Sequence, residues 1–152
     1  MIKKRRMKNG KIKFWRKLDC ALLCTHGYGG EDGCLQGLLE MNDIPFTSCS
    51  VSSSALCMDK ALTKIILKDA NILTLPYVQI NKCEYGENNA FSLKIVGEKI
   101  NFPCIVKPAN LGSSVGISIC ENVQALQKAL ELALKYDDKI IVEKYLQNVK
   151  EF

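Results

Sequence analysis

The chain has 152 residues, 47% of them hydrophobic and 24% charged, with a formal net charge of +5. This composition is that of an ordinary soluble globular protein, long enough for one domain or for part of a larger one. No apolar run reaches the roughly 18 to 20 residues of a membrane helix, and no apolar N-terminal segment marks a secretory signal.

The positive charge is local. Residues 1–17 hold nine Lys and Arg and no acid, which leaves 12 basic against 16 acidic residues in the rest. Such a basic segment is read as a disordered solvated tail in preference to a nucleic-acid or lipid contact. Leu18–Thr25 reads as a buried strand that ends at His26-Gly27-Tyr28-Gly29-Gly30. A helix follows, with Leu35, Leu38 and Leu39 on one face and Asn42-Asp43 as its stop. Residues 44–47 are a short extended segment, so the order is βαβ-like. Ser52–Ser54 can cap a second helix that runs to about Ala70, with Ala55, Met58, Leu62 and Ile65 as the core face. Lys60 and Lys64 lie off that stripe.

Leu75–Ile80 is predicted as a strand, residues 81–90 as a polar loop, and Phe91–Ile100 as a short helix. Phe102–Ile119 carries a short apolar strand closed by Lys107-Pro108, then Gly112-Ser113-Ser114-Val115-Gly116, then a second β-prone run. A glycine-serine hairpin loop of this kind gathers backbone N–H groups that bind anions, and the preceding lysine adds a compact cation. Asn122 is placed to cap a helix carrying Val123, Leu126, Leu130, Ala133 and Leu134. Asp137-Asp138 ends it, and Lys139–Leu146 is a final strand.

Eight cysteines occur without any C-x-x-C pair, and the chain has a single histidine, His26. That excludes the common zinc motifs and points to reduced thiols in a cytoplasmic protein, most of them packed as small hydrophobes. No Walker G-x-x-x-x-G-K-[ST] is present, and Gly27-Tyr28-Gly29 does not extend to G-x-G-x-x-G because position 32 is Asp32. An ATP site nevertheless needs cations and N–H groups for phosphates, a backbone edge for adenine and a carboxylate for ribose. Lys60, Lys107 and the 112–116 loop, the segment Glu143–Leu146, and Glu151 could supply these in turn.

His26-Gly27-Tyr28-Gly29-Gly30-Glu31-Asp32-Gly33 with Gln36-Gly37-Leu38-Leu39-Glu40 resembles the opening signature of D-alanine–D-alanine ligases. Ser54-Ala55-Leu56, Met58-Asp59-Lys60, Val106-Lys107-Pro108-Ala109, Gly112–Gly116 and Val142-Glu143-Lys144-Tyr145 are similar to further motifs of that family, in its order. The resemblance implies an α/β architecture of the ATP-grasp type. Residues 18–50 would close a Rossmann-like N-terminal domain, and 51–152 would form the small ATP-binding subdomain. It implies ATP as the nucleotide and an acyl phosphate joining two D-alanines for peptidoglycan precursor synthesis in the cytoplasm.

By the same resemblance Lys60 and Lys107 meet the phosphates, and Ser113, Ser114, Val115 and Gly116 fold over them. Glu143 accepts from the adenine amino group, the Leu146 backbone N–H meets the ring, Tyr145 belongs to the same nucleotide-binding set, and Glu151 holds the ribose. His26, Glu31 and Ser113 lie near the first D-alanine, with Ser113 and His26 at the reacting centre. Read from the residues alone, Glu31 and Asp32 equally suit the dipole of the following helix.

The chain departs from the family pattern in three ways. The family's first strand and glycine loop are expected to be missing, with the basic segment in their place. The mobile loop, the arginine and the Mg2+ ligands are expected to be missing after Phe152, so that this chain is a catalytically incomplete fragment of a homodimeric enzyme. Ser48 and Ser50 stand where the family has glycines. Two readings remain beside ligation of two D-alanines: a D-alanine–D-serine or D-alanine–D-lactate ligase, and a residual nucleotide-binding or scaffold module.

Overall fold

The structure, a computed structural model, describes residues 6–8, 11–13, 18–147 and 149. The chain divides into two compact units, Met1–Cys57 and Met58–Phe152.

In the first unit, β1 (Arg6–Lys8) and β2 (Lys11–Lys13) pair antiparallel, Met7 opposite Ile12. The buried strand expected over 18–25 is reduced to one parallel bridge, Ala21 to Phe46, closed by Ala21 N–H to Pro45 O at 2.8 Å and Thr47 N–H to Ala21 O at 3.0 Å. Leu22 is 76% exposed. A strand buried on both faces needs neighbours on both sides, and the described residues supply one short one. Helix α1 (Cys34–Glu40) buries Leu39 and Gln36, while Leu38 points outward. It stops as expected, with Asp43 in the left-handed region at φ 53°. Ser48 sits at φ 124°, where glycine is the comfortable residue.

The helix expected from 52–54 to 70 is two helices, α2 (Val51–Met58) and α3 (Lys60–Asp69). Asp59 breaks it: the residue is extended (φ −79°, ψ 102°), and its carboxylate accepts from the Ala61 and Leu62 N–H groups as the N-cap of α3. The break resets the helical phase. The expected core face is therefore wrong, for Ala55, Leu62 and Ile65 are exposed and Ala61 is buried instead.

The second unit is built on a mixed-order antiparallel sheet, β3-β6-β4-β5, from β3 (Tyr77–Asn81), β4 (Cys104–Pro108), β5 (Ser118–Cys120) and β6 (Lys139–Lys144). Residues 81–90, expected as a loop, form α4 (Lys82–Glu87) and the start of α5 (Asn89–Lys99). Their asparagines cap helices here instead of breaking them. The Glu84 carboxylate accepts from the Asn81 N–H at 3.2 Å, and the Asn88 side chain accepts from the Phe91 N–H at 3.0 Å. Helix α6 (Val123–Ala133) is capped by Asn122, as its sequence predicts.

One sheet face packs on these helices. Val78, Ile80, Cys104, Val106, Cys120, Ile140 and Val142 meet Val96, Leu126, Leu130 and Ala133, all inside the core. Each large side chain so buried contributes about 1.5–3 kcal/mol. The two-residue side-chain period sends the alternate positions Lys107, Lys139, Ile141 and Glu143 to the opposite face. Ile141 and Glu143 are buried there too, so β6 is covered on both sides. Of the eight cysteines only Cys104 and Cys120 are buried; the other six are exposed, contrary to the expectation for most of them.

Candidate functional site

The second sheet face gathers charge in a place that excludes most water. Glu143 is 4% exposed. Its Oε1 lies 2.5 Å from Lys64 Nζ and its Oε2 2.7 Å from Lys107 Nζ. The strand register explains the second pair: Lys107 is opposite Ile141 on β6, so Glu143 is its diagonal neighbour on the same face. Burial alone would raise the Glu143 carboxyl, but the hydrogen bonds and charges of Lys107 and Lys64 outweigh it and hold the group below its ordinary value.

Lys60, at the first turn of α3, donates from Nζ to Ala109 O at 3.2 Å and to Leu111 O. Its backbone N–H also reaches Ala109 O at 3.0 Å. An ammonium has three donors, so this lysine ties the helix to the start of the 112–116 loop and, among the described residues, keeps one donor over. Burial lowers its pKa, and the neighbouring Lys107 charge lowers it further. A half-buried ammonium with a second cation near it is stabilised by an anion.

The same face is braced at its other end. Lys139 Nζ pairs with Asp59 Oδ2, so one carboxylate both caps α3 and anchors it to β6. Burial pulls the Asp59 carboxyl up, but Lys139 and the helix N–H groups hold it below the usual range. Asp137 accepts from the Asn110 N–H at 2.6 Å and from the Lys139 N–H at 3.0 Å, which pins the chain between β4 and the loop.

The loop itself is a tight double turn. Val115 N–H reaches Gly112 O at 3.2 Å, and Ser113 and Ser114 are both left-handed, at φ 51° and 59°. Two adjacent non-glycine residues in that region carry strain of about 1–2 kcal/mol each. Gly116 is left-handed as well (φ 71°), and a Cβ there would lie 2.8 Å from Pro108 Cγ and 3.1 Å from Tyr136. The loop thus returns closely over the Lys107-Pro108 end of β4, with Ser113, Ser114 and Val115 exposed at its tip.

The first unit holds the other predicted group. Glu31 Oε2 accepts from the Gly27 N–H at 2.5 Å, and its Oε1 is 3.8 Å from His26 Nδ1. Asp32 accepts from the Gly29 N–H at 2.6 Å and the Cys34 N–H at 3.0 Å. Both acids therefore close the glycine loop on itself. His26 is largely exposed.

Of the residues singled out in the sequence, Lys60, Lys107, Glu143 and the Ser113–Gly116 loop come together around one sheet face. Tyr145 and Leu146 continue from β6, Tyr145 N–H bonding Pro103 O at 3.1 Å and Leu146 being half-exposed. His26 and Glu31 belong to the other unit, and Glu151 lies outside the described residues. Sequence reasoning missed Lys64, Asp59 and Lys139. The signal for Lys64 was its spacing, one helical turn after Lys60 on the face left unassigned. Among the described residues no group of three or more His, Cys, Asp or Glu comes together that could hold a metal ion.

Comparison with known proteins agrees with the motifs. The family described as "D-ala D-ala ligase C-terminus" matches residues 66–152, and "D-ala D-ala ligase N-terminus" matches residues 2–49. A D-alanine–D-alanine ligase of Thermoanaerobacter sp. (strain X514) is 47% identical over 127 residues, 84% of this chain and 35% of that protein. One of Thermosipho africanus is 44% identical over 131 residues, 86% of this chain and 35% of that protein. The chain thus spans about a third of the length of these curated relatives. Among solved structures, the D-alanine–D-alanine ligase from Helicobacter pylori superposes with a TM-score of 0.81 at 36% identity, over 96% of this chain and 44% of that one. The VanG D-Ala:D-Ser ligase from Enterococcus faecalis gives 0.78 at 34% identity, over 90% and 38%.

Proposed function

Since this chain belongs to the D-alanine–D-alanine ligase family and has its ATP-grasp fold, we propose that residues 58–147 form the nucleotide-phosphate side of an ATP-dependent ligase joining two D-alanines. The observation that carries this reading is the cluster of Lys60, Lys107 and Glu143 beneath the Gly112–Gly116 loop. Phosphoryl transfer is mostly positioning and charge neutralisation, and these residues supply both. Lys60 and Lys107 bring two positive charges to the phosphates. The Ser113–Gly116 loop covers them and keeps water away, with Ser113 turned to the first D-alanine. Glu143 orients the base edge, the Leu146 backbone N–H meets the ring, Tyr145 belongs to the same nucleotide-binding set, and Glu151 takes the ribose.

His26 and Glu31, in the other unit, serve the first D-alanine. Residues 18–50 are the end of the Rossmann-like domain that carries them. The described residues do not fit a magnesium site, since no group of three or more acidic, His or Cys side chains comes together among them. In the whole enzyme this work belongs to peptidoglycan precursor synthesis in the cytoplasm, by a homodimer. The likeness to a D-Ala:D-Ser ligase supports a second reading of the same site, with D-serine as the second substrate.

Calorimetry of the chain with ATP tests the proposal. Heat of binding is expected for the natural sequence, and a loss of about tenfold or more in affinity for Lys107→Ala. Unchanged heat in that variant refutes the phosphate assignment.

A further inference from the structure

The two lysines on Glu143 are not equivalent. The Lys64 side chain is 13% exposed. Besides Glu143 Oε1 its Nζ donates to Leu75 O at 3.0 Å, and it stands 5.4 Å from the centroid of the Tyr77 ring. The ammonium is therefore enclosed by a carboxylate, a carbonyl and an aromatic face, each of which favours a fixed cation. The Lys107 side chain is 26% exposed, and among the described residues its Nζ is held by Glu143 Oε2 alone. It also lies at the end of β4, directly before the anion-binding loop.

A buried carboxylate that loses its one partner is strongly destabilising to the fold. Glu143 has two partners, on separate oxygens. We infer that Lys64 is a positioning residue, the permanent counter-ion of Glu143, and that this frees Lys107 to exchange from Glu143 Oε2 to a phosphate of the nucleotide. The inference rests on the phosphate-binding reading above and adds to it a residue that touches neither phosphate nor base. Lys64 keeps the carboxylate neutralised and aimed while Lys107 moves. Without it, Lys107 becomes the last counter-ion of a buried charge and stays where it is. The Lys107 charge, which adds to burial in lowering the Lys60 pKa, acts in the same direction: an anion arriving beside Lys60 relieves that repulsion.

The test has two arms on the full chain, with Lys64→Met, Lys64→Arg, Lys107→Met and the Lys64→Met/Lys107→Met pair. The first arm is urea unfolding without ligand. Lys64→Met is expected to lower the midpoint clearly more than Lys107→Met does, and Lys64→Arg to restore it; equal losses, or the reverse order, overturn the inference. The second arm is calorimetry with ADP. Lys64→Met is expected to weaken binding about tenfold, Lys64→Arg to recover most of that, and the double variant to bind no more weakly than Lys107→Met. Additive losses would show two independent phosphate contacts and overturn the exchange. If the first arm comes out as expected while the natural sequence binds no ADP, the phosphate reading fails and the exchange with it, but Lys64 remains the fixed partner of Glu143.

Discussion

Asp59 performs two jobs with one carboxylate, and they can be separated by substitution. Its Oδ1 caps α3 through the Ala61 and Leu62 N–H groups at 3.0 and 3.1 Å, while its Oδ2 pairs with Lys139. Replacing an N-cap Asp by Ala costs about 1 kcal/mol. The ion pair lies between the surface and buried limits, the Lys139 side chain being 29% exposed and that of Asp59 7%. Its loss is therefore expected to cost about 1–2 kcal/mol. Asp59→Ala should then destabilise by about 2–3 kcal/mol. Asp59→Asn, which keeps a good cap and drops the charge, should cost about 1–2 kcal/mol. Urea unfolding measures both, since a slope of about 1–3 kcal/mol per molar turns the Ala loss into a midpoint shift of about 1 M or more. A double-mutant cycle with Lys139→Met should return about 1 kcal/mol of coupling. Equal losses for Ala and Asn would refute the capping argument, and coupling below a few tenths of a kcal/mol would refute the ion pair.

Glu143 makes the fold acid-sensitive. Its carboxyl is held below the ordinary 4.5 in the folded chain, so its contribution is complete above that value and is lost as pH falls through the lower folded value. The urea midpoint should decline below about pH 5. Glu143→Gln should be less stable at pH 7 and show a flatter acid limb, and an unchanged limb would exclude Glu143 as a source of the decline. At Gly116 a Cβ would meet the buried Pro108 ring, and φ is 71°. Gly116→Ala should therefore cost about 2–3 kcal/mol from strain and overpacking. Gly112→Ala, where nothing lies within 4 Å of the added carbon, should stay within about 0.5 kcal/mol. Similar melting losses for the two would remove the packing argument for the loop.

The local elements whose chemistry is complete within a few residues were legible from the amino acids alone. Asn122 three positions before Ala125 forms the α6 cap as written. The Cys104–Pro108 and Ser118–Cys120 strands flank the Gly112–Gly116 turn as their apolar runs and glycines require. Lys107 was also marked by its position at the end of a strand, and Glu143 by the family motif Val142-Glu143-Lys144-Tyr145. Where a residue admits two local roles, sequence alone misled. Asn81 and Asn88 suit loops and N-caps equally, and the chain uses them as caps. Asp59 looked like an ordinary helical position until its partner Lys139, distant in sequence, gave the carboxylate a reason to leave the helix.

What the sequence determined by itself was therefore the family and the residue types of the site, because ordered motifs with fixed spacing survive without coordinates. What only the tertiary structure decided was which charges neutralise one another. The Lys64–Glu143–Lys107 arrangement joins α3, β6 and β4, three elements brought together by the alternation of β6, whose Ile140 and Val142 enter the core and turn Lys139, Ile141 and Glu143 to the opposite face. Pairing between such distant positions depends on packing and register, and no local pattern in the chain encodes it.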